Sequence, residues 1–401
     1  TPNCSAEHSG SRMRAHSMVV ITGCFVDSHR DELEHDGRSF VVDNEHKNSI
    51  FDLVEARRRG EIVHPESFPP DRFNYSGTRR IFRTRGMLKI QDGCDNFCSF
   101  CIIPFVRGKA ISRSSEEVLG SARQMLSDGY KELVLTGVNM SRYHDDGASF
   151  SQLLERLLEL DGDYRLRISS IEPDCLDDHF IDLLAHERMT PHLHLCLQSA
   201  SEKMLLKMRR QYTYAEYREL IGKIRAVRGN FNVTTDLIVG FPGEGDAEFR
   251  ESLDALREIE FGHVHVFKYS IRRGTRAERM EGHLPERVKT ERSETIRRQA
   301  GVMKRAYRQK LIGKTQRVLV ERVENVGGRF RAGGFGEHYV PVRFSPPEFF
   351  VPEAVTGSSL KTGEKIPLPE QPGSFENCYR TVKITGIADG DDPELSAEII
   401  A

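Results

Sequence analysis

A strand–helix alternation repeated six times between residues 79 and 311 constrains this 401-residue chain more than any other feature. Short apolar segments fall at Met87–Gln91, Glu132–Thr136, Leu166–Ile171, His192–Gln198, Val233–Phe241 and His263–Tyr269. Helix-period stretches separate them: Ser115–Leu126 behind a Ser cap, Phe150–Leu160 with an apolar stripe, then Phe180–Leu184, Tyr214–Val227 and Phe249–Ile259. Alternation of this kind predicts a parallel sheet covered by helices. A closed (β/α) barrel needs eight units, so six predict an open, partial (β/α)6 barrel. Two further parts flank it. Residues 1–78 read as a small α/β piece, with strands at Val19-Val20-Ile21 and Phe40-Val41-Val42, a helix over Ser49–Arg59 and a linker from Pro65 to Gly77. Beyond a basic helical link from Glu286 to Leu311, residues 312–401 turn β-rich. Val318-Leu319-Val320, His338–Val342 and Val382–Thr385 suit a small β-barrel.

Chemistry in such folds gathers at the carboxyl ends of the strands. Polar or glycine residues sit at all six ends here. Strand two ends on Thr136-Gly137, strand three on Ser169 to Pro173 with Glu172 among them, and strand four on Gln198-Ser199. Strand five carries Asp236 and the Gly240–Glu244 turn, and strand six ends on Tyr269-Ser270. Strand one is followed by Cys94, Cys98 and Cys101, a C-x3-C-x2-C run with an aromatic, Phe100, just before its last thiol. Three clustered thiolates hold three irons of a cubane cluster and leave the fourth open. The competing reading is zinc, which wants four ligands. No fourth ligand is in register, since His64 lies far upstream and the next histidine is His144. Close thiolate spacing is the habit of iron–sulfur sites.

Composition adds bounds. The 38% hydrophobic and 29% charged fractions read as soluble and globular, with no run long enough for a membrane helix and no secretory signal. Eight cysteines, clustered, point to metal in a reducing cytoplasm rather than to disulfides. Net charge is −2, but Arg272 to Arg317 holds fifteen Arg or Lys against five Glu. Such a basic stripe suits a phosphate backbone; the plainer reading is a solvated helix face.

Taken together these residues resemble the methylthiotransferase branch of the radical S-adenosylmethionine (SAM) superfamily. The resemblance rests on Gln91-Asp92-Gly93-Cys94 through Pro104, Arg107-Gly108, Leu135-Thr136-Gly137, Ser169–Pro173 and Leu197-Gln198-Ser199. Met208-Arg209-Arg210, Tyr212-Thr213, Asp236–Glu244 and His265–Ser270 extend it. It implies an α/β fold: a partial (β/α)6 radical SAM barrel between an N-terminal methylthiotransferase domain (1–78) and a TRAM-like RNA-binding barrel (312–401). It implies a tRNA-modifying transferase, most like the branch that acts on N6-threonylcarbamoyladenosine. Branches acting on isopentenyladenosine in tRNA or on an aspartate of a ribosomal protein remain open, as does a non-catalytic zinc-containing RNA-binding protein. The implied cofactors are SAM and two [4Fe–4S] clusters, one on Cys94, Cys98 and Cys101, the other on Cys4, Cys24 and a third cysteine absent from this sequence. The chain opens on Thr1 in what reads as mid-domain sequence, and the Cys4–Cys24 stretch is shorter than the family's: either the sequence lacks an upstream segment with that third ligand and an internal piece, or the second cluster is incomplete. Thr136, Gly137, Glu172, Gln198 and Asp236 are candidates for SAM, and Ser270, Arg272, Lys314 and Arg317 for substrate. Implied partners are tRNA and an electron donor such as flavodoxin or ferredoxin, in the cytoplasm, with neither membrane nor DNA. The C-terminal barrel is expected to be separable, so that its removal weakens tRNA binding and spares SAM cleavage. Cys175, Cys196 and Cys378 match no ligand, Cys196 being expected in the core, and the histidines read as structural or solvated.

Overall fold

The computed structural model describes residues 18–33, 39–73, 84–327, 329–347, 375–388 and 393–400. The chain forms two compact units, Thr1–Gly77 with Phe105–Arg107, and Thr78–Pro104 with Gly108–Ala401.

In the first unit, strand β1 (Val19–Thr22) pairs in parallel with β2 (Ser39–Val42). The helix α1 (Cys24–Leu33) connects them, and α2 (Ile50–Arg58) follows. Val26, Val41, Val42, Leu53 and Ala56 are its buried apolar residues. Cys4 lies outside the described residues. The sequence did not signal α1, whose composition is dominated by polar and charged residues.

The second unit begins with β3 (Arg85–Lys89) and the short β4 (Gln91–Asp92). After α3 (Ile103–Val106), β5 (Ile111–Ser112) pairs back onto β4. The repeat continues with α4 (Ser115–Ser127), β6 (Glu132–Thr136), a small hairpin of β7 (His144–Asp145) and β8 (Ala148–Ser149), α5 (Phe150–Leu158) and β9 (Arg165–Ile168). Then come α6 (Asp178–Leu183), β10 (His192–His194), α7 (Glu202–Met208), α8 (Tyr214–Val227), β11 (Asn232–Val239), α9 (Asp246–Ile259) and β12 (His263–Lys268). Strands β3-β6-β9 and β10-β11-β12 are parallel triplets. Parallel bridges Leu166↔Met189 and Ile171↔Leu195 join them into one arc of six. Among the described residues β12 does not pair with β3, so the arc is open, as six units predict.

Local signals explain the helix starts. The Ser114 side chain caps α4 at Glu117, and full capping boxes, Ser149 with Gln152 and Thr213 with Glu216, open α5 and α8. Period-2 alternation sorts the strand residues. Leu193, Leu195 and Leu197 are buried in the apolar core beneath the helices. His192, His194, Cys196 and Gln198 therefore face the inside of the arc. Cys196, expected in the core, is instead half-buried on that inner face.

Strands β13 (Thr315–Val326), β14 (Arg329–Phe335), β15 (Pro341–Phe344), β16 (Tyr379–Ile387) and β17 (Leu395–Ile399) close into a barrel in the order β13-β14-β15-β17-β16. Bulges at Val320/Arg322 and Ile384/Gly386 help it turn. His338, expected on a strand, lies in the turn before β15. It is buried because Gln316 Oε1 and Asn230 Nδ2 meet its ring at 3.0 and 2.9 Å, while its carbonyl accepts from Asn232 Nδ2 at 2.7 Å. The helix α10 (Glu286–Gln309) links the two parts. Its Ile296, Ala300 and Met303 join the core of the arc, and Tyr307 with Leu311 joins the core of the barrel.

The barrel plugs the floor of the arc. Glu132, the first residue of β6, accepts from Arg165 Nε and from Arg167 Nε at 2.7 Å. Arg165 also donates to the carbonyls of Arg317 and Phe335 at 3.1 and 3.0 Å. Tyr339 lies over Arg167, 4.2 Å from guanidinium carbon to ring centre, and against His192. Burial alone would raise the Glu132 carboxyl, but the Arg167 and Arg165 guanidiniums outweigh it and hold the group far below the usual carboxylate range. The barrel is thus part of the packing of the arc, against the separable behaviour expected from the sequence.

The basic run is not one stripe. Arg292 is buried on Glu244 and Asp246, Arg308 donates to the Pro393 carbonyl, and Arg297 donates to the Val266 carbonyl. Lys310 pairs with Glu260, and Arg317 with Asp163. Helical periodicity turns these residues onto different faces, a spread that the linear count conceals. Among the described residues no helix is long and apolar enough to cross a membrane.

Candidate active site

The loop after β3 is locked before it reaches its first thiol. The Gln91 side chain donates to the carbonyls of Asp92 and Gly93 at 2.9 and 2.8 Å, and its oxygen accepts from Val138 and Asn139 N–H at 2.9 and 2.8 Å. One buried amide thus ties the loop after strand one to the loop after strand two. Asp92, paired with Lys89 at 2.8 Å, accepts the Gly93 N–H. Gly93 has φ +70°, and a Cβ there would stand 1.9 Å from the Lys109 carbonyl oxygen, so only glycine fits. Gly137 is a glycine for a related reason: a Cβ would meet Met140 Cγ at 2.6 Å and Gln91 Cβ at 3.2 Å. Its close approach is to these side chains, a packing reason where the sequence suggested SAM.

The thiols follow. Cys94 Sγ accepts from the Asn96 N–H at 3.5 Å and Asn139 Nδ2 at 3.8 Å. Cys98 Sγ accepts from Arg210 Nη1 at 3.3 Å. The Cys101 N–H donates to the Cys98 carbonyl at 2.9 Å. Between them Ser99 staples the loop to α7 through the Met208 and Lys207 carbonyls, and Phe100 packs edge-on against Phe241. Burial raises all three thiols, Cys98 to about 11 against the pull of Arg210. The Arg272 charge favours the Cys101 thiolate, which brings that predicted residue to the loop. All three are free cysteines.

The donor set fits a cluster better than a single ion. Thiolates around one tetrahedral zinc lie ~3.8 Å apart, from Zn–S bonds of about 2.3 Å. Among the described residues the trio of candidate ligand atoms lying within 4.8 Å of one another is not these thiols but His194, Cys196 and Asp236. The loop thiols are not such a close-set trio, and nearby N–H donors already face two of the sulfurs.

The other predicted residues divide. Glu172 pairs with Arg210, and burial raises its carboxyl against that pairing. Gln198 has φ +67° and is tied by its backbone to Asp236 and Ile238 of β11. Asp236 lies within β11 rather than at its end, 3.2 Å from His194 Nε2, and His194 Nδ1 meets Thr234 Oγ1 at 3.1 Å. Thr136 ends β6, and Ser270 is exposed beyond β12. Lys314 is exposed on the barrel, whereas Arg317 is bound to Asp163 and stacked 3.7 Å over Tyr379. Sequence reasoning missed Asn139 and the supporting role of Arg210. The only signal for the latter was its place in Met208-Arg209-Arg210, and for the His194–Cys196 face the alternation of β10. The Gly240–Glu244 turn is held from behind, with Glu244 accepting the Gly240 N–H at 2.9 Å and Arg292 at 2.6 Å.

In the first unit, Cys24 opens α1, and its Sγ accepts from Arg107 Nε at 3.2 Å and Asn44 Nδ2 at 3.8 Å.

An open arc of six β/α units bearing three thiols on its first loop defines a class, and residues 88–256 match the family model described as the Radical SAM superfamily. A solved structure of the radical S-adenosylmethionine methyltransferase TsrM from Kitasatospora setae shares this fold with a TM-score of 0.51 and 18% identity, over 65% of this chain and 58% of that one. The sequence narrows the class. It is 36% identical over 332 residues to the threonylcarbamoyladenosine tRNA methylthiotransferase MtaB of Thermotoga maritima, covering 81% of this chain and 75% of that protein. It is 32% identical over 368 residues to the MtaB of Bacillus subtilis, covering 88% and 80%. It is 34% identical over 328 residues to the tRNA-2-methylthio-N(6)-dimethylallyladenosine synthase of Bartonella quintana, covering 78% and 71%. The chain belongs to the radical SAM tRNA methylthiotransferase family.

Proposed function

We propose that this enzyme converts N6-threonylcarbamoyladenosine beside the anticodon of tRNA to its 2-methylthio derivative. The observation that carries the substrate choice is the 36% identity to the Thermotoga enzyme of that name, supported by Ser169–Pro173 and Arg209-Arg210-Gln211-Tyr212-Thr213 in the sequence. A dimethylallyladenosine substrate is the second reading, favoured by 34% identity to the Bartonella synthase.

Cys94, Cys98 and Cys101 would hold the radical SAM [4Fe–4S] cluster. When bound, cluster and SAM supply a carbon radical able to remove hydrogen from an unactivated position such as C2 of adenine. The chain's own part is to position. Gln91 fixes the thiol loop against the loop after β6, and Asn96 and Asn139 donate to Cys94. Thr136, Gln198 and Asp236 are the proposed SAM contacts, with the His194 pairing fixing the orientation of the Asp236 carboxylate. Cys24 is the proposed ligand of a second [4Fe–4S] cluster, together with Cys4 and a third cysteine. Its Sγ lies at the start of α1 and already accepts from the Arg107 guanidinium. A small electron-transfer protein is the proposed reductant.

Mass spectrometry of tRNA nucleosides from cells with and without the full-length gene tests this. Loss of 2-methylthio-threonylcarbamoyladenosine on deletion, restored by the gene, is the expected result. Loss of the 2-methylthio isopentenyl nucleoside instead selects the second reading.

A further inference from the structure

We propose that Arg210 is a positioning residue that sets the reduction potential of the cluster held by Cys98. The inference rests on the reading of Cys98 as a cluster ligand. The Arg210 side chain is 3% exposed, and its nitrogens go three ways. Nη1 donates to Cys98 Sγ at 3.3 Å, Nη2 to Glu172, and Nε to Tyr212 Oη at 3.0 Å. Tyr212 is itself fixed, since its hydroxyl donates to the Cys196 and Leu197 carbonyls at 2.7 and 2.9 Å. The approach is built into the backbone. Arg209 takes φ +58°, ψ +44° at the end of α7, and this left-handed turn sends Arg210 back beneath the thiol loop, where its N–H donates to the Leu205 carbonyl at 2.9 Å.

Such a guanidinium acts on the sulfur in two ways. Its N–H withdraws electron density from a ligating thiolate, and its charge favours the state with one more electron; both raise the potential. Glu172 works against the charge while holding the fork in place. The planar fork of arginine reaches sulfur, carboxylate and phenol at once, whereas a lysine ammonium keeps the charge but not the geometry. A plain latch between Glu172 and Tyr212 would predict lost stability and no ordered change in potential.

The test is an anaerobic redox titration of the reconstituted full chain, followed by the electron paramagnetic resonance of the reduced cluster, with iron counts and circular dichroism on the same samples. Arg210→Gln should move the midpoint to more negative potential, and Arg210→Lys should fall between it and the unaltered protein. Glu172→Gln leaves the bond to Cys98 and removes the opposing charge, so its midpoint should move positive. An Arg210→Gln midpoint equal to that of the unaltered protein overturns the proposal, as do shifts of the two glutamine variants in the same direction. If Arg210→Gln fails to fold or retain iron, Glu172→Gln decides: a positive shift supports the proposal and its absence overturns it. A Cys98→Ala chain that takes up as much iron and sulfide as the unaltered chain refutes instead the underlying assignment of Cys98, and that iron count separates the two failures.

Discussion

Replacing Glu132 by glutamine should be among the most damaging single changes to this protein that leave every cofactor ligand in place. The side chain is fully buried between two guanidiniums, themselves 6% and 3% exposed at Arg165 and Arg167. Each charge pair, at ~4 Å between charge centres and an effective dielectric of ~20, is worth ~4 kcal/mol, so two give ~8 kcal/mol gross. Relief of the buried carboxylate's own desolvation returns several of these, leaving a net loss of ~3–5 kcal/mol because two buried cations lose their partner. The loss should spread to the C-terminal barrel, since Arg165 also anchors the Arg317 and Phe335 carbonyls. Urea unfolding followed by circular dichroism, with limited proteolysis of the β13–β14 hairpin, reads both effects. The pH dependence has a defined sign. The folded-state carboxyl is depressed below its ordinary 4.5, so its stabilisation is fully present above that value and is lost as pH falls towards the folded value. The gap between parent and variant should therefore be constant from about pH 6 to 8 and narrow only below about pH 4.5. The triple change Glu132→Leu, Arg165→Met, Arg167→Met should recover much of the loss. Parent and Glu132→Gln curves that superimpose within ~0.5 kcal/mol at pH 7 would refute the reasoning.

Cys98→Ala should abolish formation of 5′-deoxyadenosine from SAM while circular dichroism stays unchanged; persistent product in the triple alanine variant at Cys94, Cys98 and Cys101 would sink the cluster assignment. Gly137→Ala should cost ~1–3 kcal/mol through overlap with Met140 and Gln91 and slow SAM cleavage, checked by thermal melting and product assay. For tRNA, Lys314→Ala should lower the slope of log affinity against log salt by about 1. Arg317→Ala should leave that slope unchanged and cost stability instead, because its guanidinium is already held by Asp163 and Tyr379; filter binding across a salt series distinguishes the two.

Much of the site's chemistry was legible in one dimension because its ligands are local. Cys94, Cys98 and Cys101 fall within one loop, so spacing alone announces a multi-thiol centre, and the structure adds the N–H donors that face two of its sulfurs. The six parallel strands were equally legible, each being a short apolar run in a regular strand–helix alternation. Their ends were read a few residues long, as at Leu166–Ile171 against β9, where Ile171 returns only as a bridge. The helices α1 and α7 went unread, the one mostly polar and charged, the other only seven residues.

By itself the sequence determined the sixfold strand–helix alternation, the open arc and the thiol loop, since each follows from periodicity or from residues a few positions apart. Tertiary structure decided what the charged residues do. Arg210 reaches Cys98 across 112 positions, Arg165 reaches Phe335 across 170, and Arg292 reaches Glu244 across 48. Whether a cation faces water or a buried carboxylate depends on which distant segment folds over it, and no local pattern carries that information. A basic run that reads as one surface was therefore divided by the fold, part supporting the site, part joining the barrel to the arc, and part facing solvent.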